Sequence, residues 1–330
     1  MSLRRMPLQI KGLTLPSRLI MAPMASAKAT EEGLVTDALI GFYRERTEDG
    51  ALGLVVLEHA YILPRGQAKA RQLSIAGEET VEGLKRLVEA IHGSGTPVFA
   101  QINYAGSFSD GEDRLSASAV ANPRRKDGPV PSEMTKAEIT AVTGAFAAAA
   151  LRAKAAGFDG VEVHAAHGYL LSQFLSPLTN RRGDEYGGAL AHRLRLHREV
   201  IQAVRQAVGT AYPLALRLGA CDDLEGGLAE AEGVEAAAQL AAEGLDLLDI
   251  SGGMSGYIRP GRREPGYYGE ITAAIRRRTE VPVILTGGIT SGEEAEALLA
   301  AGKADLIGVG RPFLKDAHWA KRALEGQVLS

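Results

Sequence analysis

PVILTGGITSGEEAEALLAAGKADLIGVGRPF, residues 282–313, decides the fold. An apolar run ends in a glycine pair. A segment with helical spacing follows, acidic at its start and closed by Gly302 and Lys303. A second apolar run then ends in Gly310-Arg311. Both runs are too short for helices and are continuous rather than alternating, as suits parallel strands covered on both faces. The acidic start and glycine stop are those of a helix. One strand–helix–strand unit is therefore complete here.

The same unit repeats towards the N-terminus. Strand-like runs occupy 18–23, 52–59, 97–103, 158–164, 213–219 and 245–252, which with 282–288 and 304–310 makes eight. Helix-period segments separate them, among them ETVEGLKRLVEAIHGSG, KAEITAVTGAFAAAALRAKAAG, HRLRLHREVIQAVRQAVG, AEGVEAAAQLAAEG and ITAAIRRRTE. No Pro/Ser linker divides the chain. The pattern predicts an α/β fold, a (β/α)8 TIM barrel in one domain over 1–330. A doubly wound open sheet is the alternative. It would carry a Gly-rich phosphate loop after the first strand, where APMASAKATEEG stands instead. PLQIKGLTLPS alternates around Gly12 and predicts a small hairpin closing the barrel bottom.

Composition bounds the function. With 330 residues, 45% hydrophobic and 23% charged, the chain is a folded protein. A net charge of −3 argues against nucleic acid as a partner. One cysteine, Cys221, permits no internal disulfide and no Cys-rich metal site. Arg4-Arg5 would suit an export signal, but PLQIKGLTLPSR breaks any apolar segment behind it. No apolar run reaches membrane-spanning length. The expectation is a cytoplasmic protein with no membrane partner; a homo-oligomer is compatible with it.

Two segments exceed what connections need: 104–135, after the third strand, and 165–190, after the fourth. In a barrel both lie over the C-terminal face, where function is found. Gln101, His164 and Arg217 end or lie in neighbouring strands and converge on one planar polar ligand if they point inward. The bland reading for Arg217 is an ion pair in the barrel core. The glycine pair after strand seven and Gly310-Arg311 after strand eight together make a monophosphate cradle. His164 and His167, three apart, fall on one side if a helical turn begins at the strand end. They read as metal ligands, with Glu162 within reach as a third, as paired hydrogen-bond donors to one oxygen, or as satisfied structural histidines. In the second case Tyr169 supplies a proton. Composition does not decide between them.

HAAHGYLLSQFLSPLTNRRGDEYGG, 164–188, is very similar to the signature of the old yellow enzyme family of flavin-dependent ene-reductases. RLIMAPM, Gln101, the strand around Arg217, DISGG, TGGI and GVGRPFL extend the likeness in order over nearly the whole chain. The resemblance implies a barrel carrying non-covalent FMN at its C-terminal face, with NADPH or NADH as reductant and no metal ligand. It implies Pro23, Met24 and Ala25 along the isoalloxazine and Gln101 at its pyrimidine edge. Arg217 would sit near N1 and the C2 carbonyl, and Ser251 and Gly252 near the ribityl chain. Gly288, Gly310 and Arg311 would hold the phosphate. His164 and His167 would grip a carbonyl oxygen, and Tyr169 would be the acid. The substrates implied are small molecules: enones, quinones or nitro compounds. Asn180, Arg182, Asp184 and Tyr186-Gly187-Gly188 read as structural. A metal-dependent barrel hydrolase and an FMN barrel without turnover are the rival readings.

The chain departs from the family pattern at four places. Ala25 stands where Cys or Thr touches the flavin, Tyr104 for a His, and Ser107 for an Arg. Ala27 and Lys28 lie where an aromatic residue is usual. Larger members carry a four-Cys iron–sulfur region, which one cysteine cannot supply.

Overall fold

A computed structural model describes residues 2–125 and 128–326. Eight strands form the barrel: β1 (Leu19–Met21), β2 (Leu54–Val56), β3 (Val98–Asn103), β4 (Gly160–Ala165), β5 (Leu214–Gly219), β6 (Leu247–Ser251), β7 (Val283–Leu285) and β8 (Leu306–Val309). Each pairs in parallel with its sequence neighbours, β8 pairs with β1, and β2 pairs with β3, so the sheet closes. The open-sheet alternative is thereby set aside.

Eight helices connect and cover the strands: α1 (Asp37–Thr47), α2 (Val81–His92), α3 (Lys136–Ala155), α4 (Arg195–Val208), α5 (Glu230–Ala241), α6 (Gly269–Arg276), α7 (Gly292–Ala300) and α8 (Trp319–Glu325). The Ala-rich α3 starts at a capping box in which Thr135 and Glu138 satisfy each other's backbone N–H. Ser291 and Glu294 do the same for α7. Helices α1 and α8 are not among the segments read from helical period. In α1, Gly41 and several charged residues blur the stripe, and Thr36 caps the helix.

The barrel interior is graded. Alternate residues of a strand point inward, and parallel register puts them in layers. The lower layer is apolar and joins Phe99, Ala215, Leu247, Ile284, Leu306, Ile20 and Leu54. Gly160 belongs to it, because a Cβ there would lie 2.5 Å from the Phe99 ring. The N-terminal hairpin, Leu8–Ile10 paired antiparallel with Leu13–Leu15, packs Ile10 and Leu15 onto this layer and plugs the bottom. Lys11 makes its turn with φ 55. Two residues further along β3, β4, β5 and β6 the interior turns polar, at Gln101, Glu162, Arg217 and Asp249.

The run 52–59 does not stay paired throughout. Pairing with β3 stops after Val56 and resumes at Ala60–Tyr61, opposite Ile102 and Asn103. Glu58 and His59 lie in the gap and are buried.

Both long loops lie over the C-terminal end. Gln173, on a short helix after β4, holds them together: its Oε1 accepts from Ser107 N and Ser116 Oγ, and its Nε2 donates to Ala105 O and Gly168 O. Gly106, at φ 65, leaves room for it; a Cβ there would lie 2.3 Å from Gln173 Oε1. Residues 126 and 127 of the 104–135 loop lie outside the described residues. Among the described residues no helix is long and apolar enough to cross a membrane.

Candidate active site

Register assembles the site. Gln101 stands opposite Glu162, Arg217 opposite both His164 and Asp249, and Gly219 opposite Ser251. Partners in parallel strands face the same way, so all these side chains point inward above the apolar layer. Gln101, Glu162, His164, Arg217, Asp249 and Ser251 are all buried.

The lower members form a charged layer. Gln101 Nε2 donates to Glu162 Oε1 at 2.7 Å, and Arg217 Nε lies 3.4 Å from Asp249 Oδ2. The ion-pair reading of Arg217 is thus correct, but incomplete. The contact lacks hydrogen-bond geometry, and both Nε and Nη1 of Arg217 are buried without a hydrogen-bond partner. Burial and the neighbouring Asp249 push the Glu162 carboxyl well above the carboxylate range; burial also raises Asp249, against the pull of Arg217.

Above this layer His164, His167 and Tyr169 come together. Ring centroids lie 4.9 Å apart for His164–His167 and 5.0 Å for His164–Tyr169, both edge-on. The convergence does not come from a helical turn, as expected, because the next helix starts only at Leu170. Instead the chain reverses through His167 at φ 60 and Gly168 at φ 74. Hydrogen bonds from His167 N to Gly252 O and from Arg124 Nη1 to His167 O fix this left-handed turn. A non-glycine residue with such a φ is held there by its surroundings.

Protonation follows from the contacts. The Ala166 N–H donates to His164 Nδ1 at 3.2 Å, so that nitrogen carries no proton and Nε2–H is the donor. His167 Nε2 shares a hydrogen bond with Ser251 Oγ at 2.8 Å. Burial holds both imidazoles well below the usual histidine range, helped for His164 by His167 and for His167 by Arg217. They are neutral N–H groups at neutral pH. Burial raises the Tyr169 hydroxyl, with Arg124 and Arg125 pulling the other way, so it stays protonated. Phe108 and Tyr257 stand at the rim, 5.7 Å from Tyr169 and 6.0 Å from His167.

Among the described residues no three His, Cys, Asp or Glu side chains are placed to hold a metal ion. Glu162 Oε1 accepts from Gln101, and its Oε2 is buried without a hydrogen-bond partner.

The remaining expected residues ring the mouth. Pro23 and Met24 are half-buried and Ala25 is exposed. A Cβ on Gly310 would lie 3.3 Å from Met24 Sδ, which brings the loops after β1 and β8 together. Gly287 and Gly288 both take positive φ, 106 and 70, over the ring of Tyr267. Gly310 is half-buried and Arg311 exposed. A Cβ on Gly252 would meet Gly256 O and the Tyr268 hydroxyl, so the turn after β6 has no room for a side chain.

A profile of the NADH:flavin oxidoreductase / NADH oxidase family, an FMN oxidoreductase family, matches residues 6–329. The chain belongs to this family. The NADH oxidase of Thermoanaerobacter brockii is 38% identical over 97% of this chain and 50% of its own. The chain therefore spans about half the length of that relative. The NADPH dehydrogenase of Geobacillus thermodenitrificans is 38% identical over 95% of this chain and 91% of its own. Among solved structures, the old yellow enzyme homologue of Zymomonas mobilis aligns with a TM-score of 0.87 at 27% identity, over 100% of this chain and 94% of that one.

The cofactor of this old yellow enzyme-type barrel is FMN, and the donor set suits it. A flavin needs a cation beside N1 and the C2 oxygen, and Arg217 has two buried N–H-bearing nitrogens without partners. Its phosphate needs glycine-opened backbone and a cation, as Gly287, Gly288, Gly310 and Arg311 provide.

Two departures from the family pattern prove to lie off the imidazole cluster. Tyr104 is buried against Gly66, and the charges acting on its hydroxyl are those of Arg65 and Glu138. Ser107 serves the loop, bonding Gln173 through N and Asn122 through Oγ. Sequence reasoning missed His59, whose ring lies 5.2 Å from Tyr169 and 6.0 Å from His164. The signal was present: LGLVVLEH ends on a histidine, as FDGVEVH does.

Proposed function

We propose that the protein is an NAD(P)H-dependent ene-reductase built on one barrel domain over 1–330, working in the cytoplasm on small α,β-unsaturated carbonyl compounds. FMN, when bound, would supply the redox chemistry, hydride transfer from NADH or NADPH to Cβ of the conjugated alkene. Pro23, Met24 and Ala25 would line its ring, Gln101 its pyrimidine edge, and Ser251 and Gly252 its ribityl chain. Gly288, Gly310 and Arg311 would hold its phosphate. Arg217 would favour negative charge on the adjacent ring edge.

The chain's own residues do the rest. His164 Nε2–H and His167 donate to the substrate carbonyl oxygen, which gains negative charge as hydride arrives at Cβ. Neutral imidazoles suit this, because they bring hydrogen bonds without needing to lose a proton. Donors so placed are worth on the order of 10²–10³ in rate. Tyr169 gives its phenolic proton to Cα, a contribution of about 10²–10⁴. Hydride and proton thus add across one C=C bond, the nicotinamide is oxidised, and solvent returns the proton to Tyr169.

The observation that carries this reading is the convergence of two neutral imidazoles and a protonated phenol over the layer containing Arg217. The test is steady-state turnover of the FMN-loaded protein with NADPH and 2-cyclohexenone, before and after a chelator. Alkene-dependent nicotinamide oxidation yielding the saturated ketone, unaffected by chelator, is expected. Activity lost to chelator would transfer the site to metal chemistry.

A further inference from the structure

His59 belongs to the same cluster, yet the reaction just described leaves it without work. It sits in the gap where β2 leaves the ladder, and only 8% of it is exposed. Its tautomer is fixed by its neighbours. Gln72 Oε1 accepts from Ala68 N at 2.7 Å, and Gln72 Nε2 donates to His59 O at 3.1 Å. That amide cannot be turned round without losing both bonds. The same Nε2 lies 2.8 Å from His59 Nδ1, and Asn103 Nδ2 approaches Nδ1 at 3.3 Å. Gln72 Nε2, fixed as a donor by its other bonds, makes Nδ1 the acceptor, so the proton is on Nε2. Among the described residues Nε2 has no hydrogen-bond partner. Burial, with Lys69 and Arg217 nearby, lowers this imidazole to about 4, so it too is a neutral donor.

The layout is a triangle. Tyr169 stands 5.2 Å from His59 and 5.0 Å from His164, with His167 beyond His164. If His164 and His167 hold the carbonyl next to Cα, the alkene lies beside Tyr169, and the N–H of His59 faces the Cβ side. We propose that His59 is a specificity-determining residue that binds the oxygen of a second carbonyl group attached at Cβ. The preferred substrate class is then an alkene activated from both ends: an ene-dione, a cyclic imide or a quinone. This rests on the ene-reductase reading above. It adds a choice among alkenes that His164, His167 and Tyr169 do not make, since a buried donor discriminates against a ligand that leaves it unpaired.

The test compares maleimide with 2-cyclohexenone as substrates, and their saturated analogues succinimide and cyclohexanone in equilibrium binding, on FMN-loaded protein. His59→Phe keeps a ring of similar size without the N–H, and His59→Gln keeps a donor. For His59→Phe, KM for maleimide and Kd for succinimide are expected to rise roughly tenfold. Values for the two monoketones should stay within about threefold. His59→Gln should recover most of the maleimide KM. Equal losses for both classes, no loss for either, or no recovery with Gln would overturn the proposal. Wild-type protein that NADPH reduces but that turns over neither alkene would instead refute the ene-reductase reading and remove the ground for this one.

Discussion

At the scale of single residues, the account depends on neutral histidines. His164 and His167 have their protonation pushed well below the usual histidine range, so neither gains charge between pH 8 and about pH 6. The corresponding expectation is a kcat/KM for 2-cyclohexenone that is flat across that window. A loss of activity on acidification with an apparent pKa near ~6.5 would mean an ordinary, solvated imidazole. The same shifts carry a stability consequence. Groups kept neutral in the fold but protonated in the unfolded chain cost stability as pH falls below about 6.5, and none above it. His164→Ala should lower kcat by about 10²–10³, with NADPH-driven flavin reduction unchanged, measured as separate half-reactions. The residues of this cluster were legible to different degrees. His164, His167 and Tyr169 stand in one short stretch whose signature is specific. His59 lies over a hundred positions away, and only the break in β2 pairing brings it in. Its partners Gln72 and Asn103 come from two further segments, and no local pattern announces such a meeting.

At the scale of elements, the signature residues after Tyr169 act as fasteners. Arg182 forms a bidentate pair with Asp184, at 2.9 and 2.6 Å, and donates to the carbonyls of Ala117 and Met134 in the other long loop. Asn180 Nδ2 bridges Phe174 O and Tyr186 O, and the Tyr186 hydroxyl reaches Glu199 on α4. Arg182→Met keeps much of the stem but strips these bonds and leaves two buried carbonyls unpaired. A loss of about 3 kcal/mol is expected in urea unfolding, with faster proteolysis within 104–135. Unchanged unfolding and proteolysis would show that the loops do not depend on this arginine. Strands and most helices were readable because period and caps are local. Helix α1 was not, since its apolar face is weak and tertiary packing holds it. The left-handed turn at His167 was not, since a positive φ at a non-glycine residue is imposed from outside by Gly252 and Arg124.

At the scale of the whole molecule, the barrel is a gradient from a plugged apolar floor to a polar mouth. The hairpin seals the floor, the Gln101–Glu162–Arg217–Asp249 layer carries the change, and the imidazole–phenol cluster crowns it. Eight short apolar runs were enough to predict closure, because a closed barrel leaves no strand edge to satisfy elsewhere. The choice between metal and flavin was not legible from spacing, because both use paired histidines; the signature over 164–188 pointed to flavin, and the family match over residues 6–329 bears that out. The most direct measurement follows the flavin band of the FMN-loaded protein in two anaerobic steps, NADPH first and 2-cyclohexenone second, for wild type and Tyr169→Phe. Both should bleach at the same rate, and colour should return on adding the enone about 10²–10⁴ times more slowly in the variant. Bleaching without any return of colour in the wild type, or equal return in both proteins, would contradict the account.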